Sequence, residues 1–206
     1  MSEPAASVVL IQASPHAGGV SDCLADAFAA PFPPHVVHRV ALREHAIAPC
    51  RGCNACAAPP HTCVLDTPPD AAQGIFAVMR TARLLVVCAP IYFYGLPGQC
   101  KGFIDRGQQL WQARGTATQL HAPWGLEAGQ NGPQALALLA AGRPRGEQLF
   151  AGALLTLKYF FALFDAPLAD TRGFYGLDDI AALNAAPDVC ADIRALGQRW
   201  AQTLCP

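Results

Sequence analysis

The sequence predicts an α/β fold: a three-layer sandwich with a five-stranded parallel sheet, helices on both faces and a cysteine-rich insertion after the second strand. Three observations carry this. Short runs of β-branched and aliphatic residues recur along the chain, as strands buried on both faces require. Between them stand segments whose apolar residues repeat at helical spacing. Polar joints containing Gly or Pro fall where the runs end. Such alternation implies right-handed crossovers and places ligand-binding loops outside the carboxyl ends of the strands.

Ser7 to Ala13 (SVVLIQA) reads as the first buried strand, Ser14 to Gly19 as a loop, and Val20 to Ala30 as a helix with Leu24, Ala27 and Phe28 on one face. Pro31, Pro33 and Pro34 end that helix. His35 to Leu42 alternates as a second strand near an edge. The cysteine segment, residues 48–69, holds five prolines and reads as irregular backbone. A helix resumes over Asp70 to Ala82, and Arg83 to Ala89 (RLLVVCA) is the clearest strand. Pro97 opens a helix striped by Phe103, Ile104, Gly107, Leu110 and Trp111. Residues 114–133 are expected to be irregular, Gln134 to Ala140 a fourth strand, and Gly146 to Phe164 a long apolar helix. Leu168 to Tyr175 gives a fifth strand, and Pro187 opens the last helix, with Val189, Ile193, Leu196 and Trp200 on one face.

The 206 residues suit a single domain, 1–206. Hydrophobic residues make up 52% and charged residues 14%, which supplies a large core and excludes a disordered chain. A net charge of −1 leaves no electrostatic footprint for nucleic acid. The N-terminus lacks a basic region, so no signal peptide is expected and a cytoplasmic location is. Leu149 to Phe164 is short for a membrane span and carries Lys158, which favours a buried or interface helix. Nine cysteines, an odd number, argue against a disulfide scaffold.

Three segments carry chemistry. Ser14-Pro15-His16-Ala17-Gly18-Gly19-Val20-Ser21 joins the first strand to the first helix. Its small residues, hydroxyls and helix-start N–H groups suit an oxyanion. It lacks GxGxxG and GxxxxGK[ST], and an ordinary turn capped by Ser21 would also explain it. Ala89 to Pro97 sets Tyr92, Phe93 and Tyr94 in a row at a strand's carboxyl end. A planar ligand would use them, as would a subunit interface. Cys50, Cys53 and Cys56 are spaced C-x2-C-x2-C, and Cys63 follows after six intervening residues. That spacing can wrap one side of a cubane cluster; zinc or metal-free thiols are the alternatives.

The segments SPHAGGVSD (14–22), CRGCNACAAPPHTCVLD (50–66) and APIYFYGLPGQCKGFIDR (89–106), in this order and spacing, resemble the NAD(P)H-dependent FMN reductase branch of flavodoxin-like proteins, and within it the iron–sulfur flavoproteins. The resemblance covers about residues 7–175. It implies that Ser14, His16, Gly18, Gly19, Val20 and Ser21 hold the FMN phosphate. It implies that Pro90, Ile91, Tyr92, Phe93, Tyr94 and Gly95 flank the isoalloxazine ring, with further contacts near Gly142. Cys50, Cys53, Cys56 and Cys63 would ligate a [4Fe-4S] cluster. Family members usually carry Gly-Asn-Thr where this chain has Gly19-Val20-Ser21, and often Arg at His16.

The implied function is electron transfer between a reduced donor, NAD(P)H among the possibilities, and a small or protein acceptor. The chemistry lies on the flavin, so no side chain is expected to be an acid or base. A homodimer or homotetramer is expected. A cluster-free NAD(P)H-dependent FMN or quinone reductase is the alternative, and a non-enzymatic metal-binding or interaction module is a third reading. The Phe103–Arg106 segment is expected to form an ion pair within its helix or to another element, and His61 to be a solvated loop residue.

Overall fold

In a computed structural model, which describes residues 7–117 and 132–205, the five strands β1 (Val8–Gln12), β2 (Val37–Ala41), β3 (Leu84–Pro90), β4 (Gln134–Ala141) and β5 (Leu168–Tyr175) form one sheet in the order β2-β1-β3-β4-β5. Every pairing is parallel. The helices are α1 (Val20–Ala29), α2 (Ala71–Met79), α3 (Gly98–Asp105), α4 (Gln108–Ala117), α5 (Ala151–Ala162), α6 (Ile180–Asn184) and α7 (Pro187–Leu204).

Side-chain alternation splits the core in two. Val9, Ile11, Leu85 and Val87 face α2, α3 and α5, whose Phe76, Phe103 and Phe160 pack ring against ring. Val8, Leu10, Leu84 and Val86 face the other way, onto Leu24 and Phe28 of α1 and Ile193 and Leu196 of α7. Because consecutive residues of β1 and β3 serve opposite faces, both are apolar up to their carboxyl ends, where β1 finishes in Gln12. The edge strand β5 instead alternates between exposed and half-buried residues. α7 meets α1 at Gly197, where a Cβ would stand 2.2 Å from the Phe28 carbonyl oxygen.

The structure corrects several expected boundaries. The single helix after Pro97 is two, α3 and α4, parted at Arg106 and Gly107. A Cβ at Gly107 would lie 2.8 Å from Leu163 Cδ1, so this turn presses onto the end of α5. Residues 114–117, expected to be irregular, continue α4; residues 118–131 lie outside the described residues. The apolar helix begins at Ala151, after a turn in which Gln148 is left-handed (φ 51°), not at Gly146. The short α6, capped by the Asp179 carboxylate accepting from Ala182 N–H, was not anticipated. Among the described residues no helix is long and apolar enough to cross a membrane.

Candidate functional site

β1 and β3 are neighbours, paired from Val8↔Leu84 to Gln12↔Cys88, with Ala13 N–H donating to Cys88 O at 2.9 Å. The chain leaves β1 toward β2 on one side and later reaches β3 on the other. The crevice beyond their carboxyl ends is therefore the switch point of the sheet. Residues 14–21 and 90–96 line it, and residues 142–146 follow from β4 beside them, with Ile91 N–H donating to Ala140 O (2.8 Å).

In the first loop Ser14 is buried, its Oγ accepting from His16 N–H and donating to His16 O, both at 3.1 Å. Gly18 adopts φ +67°, a conformation side chains rarely take. Gly19 is the N-cap of α1 and no side chain caps that helix, so the Ser21 cap considered from sequence is absent. Asp22 and Cys23 N–H both turn back to Gly19 O (3.0 and 3.1 Å), which leaves the Val20 and Ser21 N–H groups as open donors at the positive end of the helix.

Asp22, 6% exposed, organises this loop from behind. Its carboxylate accepts from Gly18 N–H (2.8 Å), Gln12 Nε2 (2.8 Å) and Arg43 Nη1 (3.1 Å). Arg43 Nη2 completes the ion pair at 3.0 Å. Sequence reasoning missed this role: Asp22 stands just past the expected ligand residues Val20 and Ser21, and its partners Gln12 and Arg43 lie 10 and 21 residues away.

The aromatic loop is a two-residue hairpin. Tyr92 and Gly95 exchange both backbone hydrogen bonds at 2.9 Å. Phe93 (φ 48°) and Tyr94 (φ 62°) are both left-handed, as a type I′ turn requires. Asn-Gly is the usual pair here, and two aromatic residues in its place strain the backbone. Phe93 is fully exposed (105%), and Tyr92 and Tyr94 are also exposed. Arg143 lies over the Tyr94 ring, 5.8 Å from its centroid, and the Phe150 and Tyr175 rings meet at 4.9 Å close by, Tyr175 OH donating to Gly146 O at 3.5 Å.

The cysteine segment runs between β2 and α2. Cys50, Cys53, Cys56 and Cys63 all line one small, solvent-open pocket, together with Arg106, Gln108 and Gln109. Gly52 (φ +64°), Asn54 (φ 57°) and His61 (φ 61°) turn the chain around it. Gly52 N–H donates to Cys50 Sγ at 3.4 Å. Burial pushes the Cys56 thiol up; its own backbone N–H pulls the other way, and Cys63, Cys50 and Cys53 add to the rise. Among the described residues no three His, Cys, Asp or Glu converge tightly enough to hold a single metal ion. His61 is half-buried and not simply solvated, with Nδ1 donating to Cys56 O at 2.9 Å.

Arg106 proves to pair with other elements: Nη2 with Asp66 (2.6 Å), Nη1 with Asp70 and with Ala48 O (3.1 Å). Lys101 and Asp105 form the pair internal to α3 (2.6 Å). Gln99 Nε2 donates to Leu42 O at 2.5 Å, and a Cβ on Gly102 would touch Pro49 at 3.4 Å. α3 therefore joins the two regions. The aromatic loop leads into its N-terminus and Arg106 closes its C-terminus; its eight residues span about 12 Å.

The family described as NADPH-dependent FMN reductase matches residues 6–140. An iron-sulfur flavoprotein of Methanosarcina thermophila is 36% identical over 71 residues, a stretch covering 34% of this chain and 35% of that protein. An FMN-dependent NADH-azoreductase of Bacillus anthracis, solved with FMN, shares the fold at a TM-score of 0.58 and 11% identity, covering 94% of this chain and 99% of that one. An NAD(P)H:quinone oxidoreductase of Methanothermobacter marburgensis shares it at 0.56 and 14%, covering 94% and 96%.

Proposed function

The chain belongs to the NADPH-dependent FMN reductase family, and from that membership we propose an FMN-dependent oxidoreductase of the iron–sulfur flavoprotein type. It passes electrons from a reduced donor, of which NAD(P)H is one candidate, to a small or protein acceptor. Bound FMN supplies two-electron hydride acceptance and one-electron release, and a [4Fe-4S] cluster supplies one-electron acceptance.

Both groups fit the residues present. The open N–H groups at the start of α1, with Ser14, His16, Gly18, Gly19, Val20 and Ser21 around them, suit a phosphate. Tyr92, Phe93 and Tyr94 offer exposed rings beside it for a planar heterocycle, flanked by Pro90, Ile91 and Gly95. The thiols of Cys50, Cys53, Cys56 and Cys63 surround one pocket, with the Gly52 N–H already on a sulfur. A cubane cluster takes four cysteine thiolates, the number that this pocket's lining supplies.

The gathering of all four cysteines around a pocket at the far end of α3 from the aromatic loop carries this reading. Protein purified without oxygen should show flavin absorbance and about four irons and four sulfides per chain. Flavin without iron would leave a cluster-free reductase. A colourless protein that refuses added FMN would overturn both. A homodimer or homotetramer is part of the proposal, tested by light scattering on the same sample.

A further inference from the structure

Arg106 is the largest fully buried side chain, 1% exposed. Two carboxylates and a carbonyl occupy its terminal nitrogens: Asp66 on Nη2, Asp70 and Ala48 O on Nη1. Its Nε–H has no partner, and it is the one buried side-chain polar atom among the described residues left in that state. An unpartnered buried donor is costly, about 1–3 kcal/mol, and native structures seldom leave one without a reason. Arg106 also walls the pocket that all four cysteines line.

The surroundings indicate what the donor meets. Asp70 and Asp66 hold the buried guanidinium as a charged, doubly paired group. Asp66 N–H donates to Cys63 O at 3.0 Å, so the residue that anchors Nη2 also fixes the backbone of Cys63. The carboxylates hold the guanidinium by its two terminal nitrogens and leave Nε–H unpartnered in a residue that lines the pocket.

We propose that Arg106 Nε–H donates a hydrogen bond to sulfur at the Cys63 corner of the iron–sulfur group, making Arg106 a positioning residue that sets the cluster's potential. The inference rests on the cluster reading above. Hydrogen bonds to cluster sulfurs and local charge both govern potential. The donor stabilises the more negative, reduced form, so its loss makes reduction harder.

The test is a redox titration of the intact, anaerobically purified protein, with cluster and flavin followed separately. Arg106→Lys keeps the charge and one carboxylate partner but loses the fixed third donor. It should make cluster reduction about tenfold less favourable, 59 mV for a one-electron couple, while the flavin potential stays put. Asp70→Asn keeps the Arg106 donor and the helix cap but removes a counter-charge, and should shift the cluster the opposite way. Wild-type cluster potentials in both iron-replete variants would overturn the inference alone. Wild-type protein holding flavin but no iron would overturn the cluster reading and this inference with it. If Arg106→Lys retains no iron, Asp70→Asn decides: an upward shift supports the assignment, and no shift refutes it.

Discussion

Phe93→Asn separates the stability of the aromatic turn from its use. A non-glycine residue in the left-handed region costs about 1–2 kcal/mol, and Asn tolerates that region far better than Phe. Phe93 is fully exposed, so replacing it forfeits no burial. The backbone bonds between Tyr92 and Gly95 do not involve its side chain. The cofactor-free variant should therefore be more stable by about 1 kcal/mol, which at a typical urea slope moves the unfolding midpoint up by about 0.5 M. FMN affinity should fall about tenfold, the equivalent of about 1.4 kcal/mol of lost ring contact. Urea unfolding of the apoprotein and a flavin-fluorescence titration read the two effects independently. A destabilised apoprotein would refute the strained turn, and an unchanged affinity would refute its contact with the flavin.

Gly197→Ala should destabilise the fold by about 2 kcal/mol in urea unfolding, although Ala is normally better in a helix by about 1 kcal/mol. The new Cβ would lie 2.2 Å from the Phe28 carbonyl oxygen, and backbone cannot yield as a side-chain tip does. Burial opposes ionisation of Asp70, but the Ala72 N–H, Arg106 and the Ala48 N–H outweigh it and hold its pKa below the usual carboxylate range. A depressed folded pKa stabilises above the unfolded value of about 3.9 and ceases to as pH falls through the folded value. The stability gap between wild type and Asp70→Asn should hold steady above about pH 5 and shrink in more acidic urea titrations. Burial pushes the Cys100 thiol up to about 12 and Cys88 higher still. Alkylation of the native protein at neutral pH, mapped by mass spectrometry, should spare both until the chain unfolds.

The strands were legible because β1, β3 and β4 are apolar on both faces, leaving runs such as VVLIQ and LLVVCAP that no helix pattern imitates. The break between α3 and α4 was hidden. The stripe through Phe103, Gly107 and Trp111 continues at helical spacing, while the cause of the break, Gly107 against Leu163, lies far along the chain. The crevice loops could be placed from the strand ends alone. Arg106 could be expected to form an ion pair, but its partners stand 40 and 36 residues away and nothing local selects them. The Asp22–Arg43 contact, 21 residues apart, escaped notice for the same reason.

Ala48 N–H donates to the Asp70 carboxylate at 3.0 Å, across a separation of 22 residues, and Arg106 clasps both ends. The cysteine segment is thus a cassette with its own clasp. The stretch between Pro49 and Pro69 begins and ends at this junction, with Asp66 inside it held by Arg106 and Gln73, while β2 and α2 meet the sheet without it. Closing a longer or shorter loop at fixed ends changes the entropy by only about 0.6 kcal/mol per doubling. A descendant that exchanged the cassette for a brief turn would keep the crevice beyond β1 and β3, and one that acquired it would gain a four-cysteine pocket without rebuilding the frame.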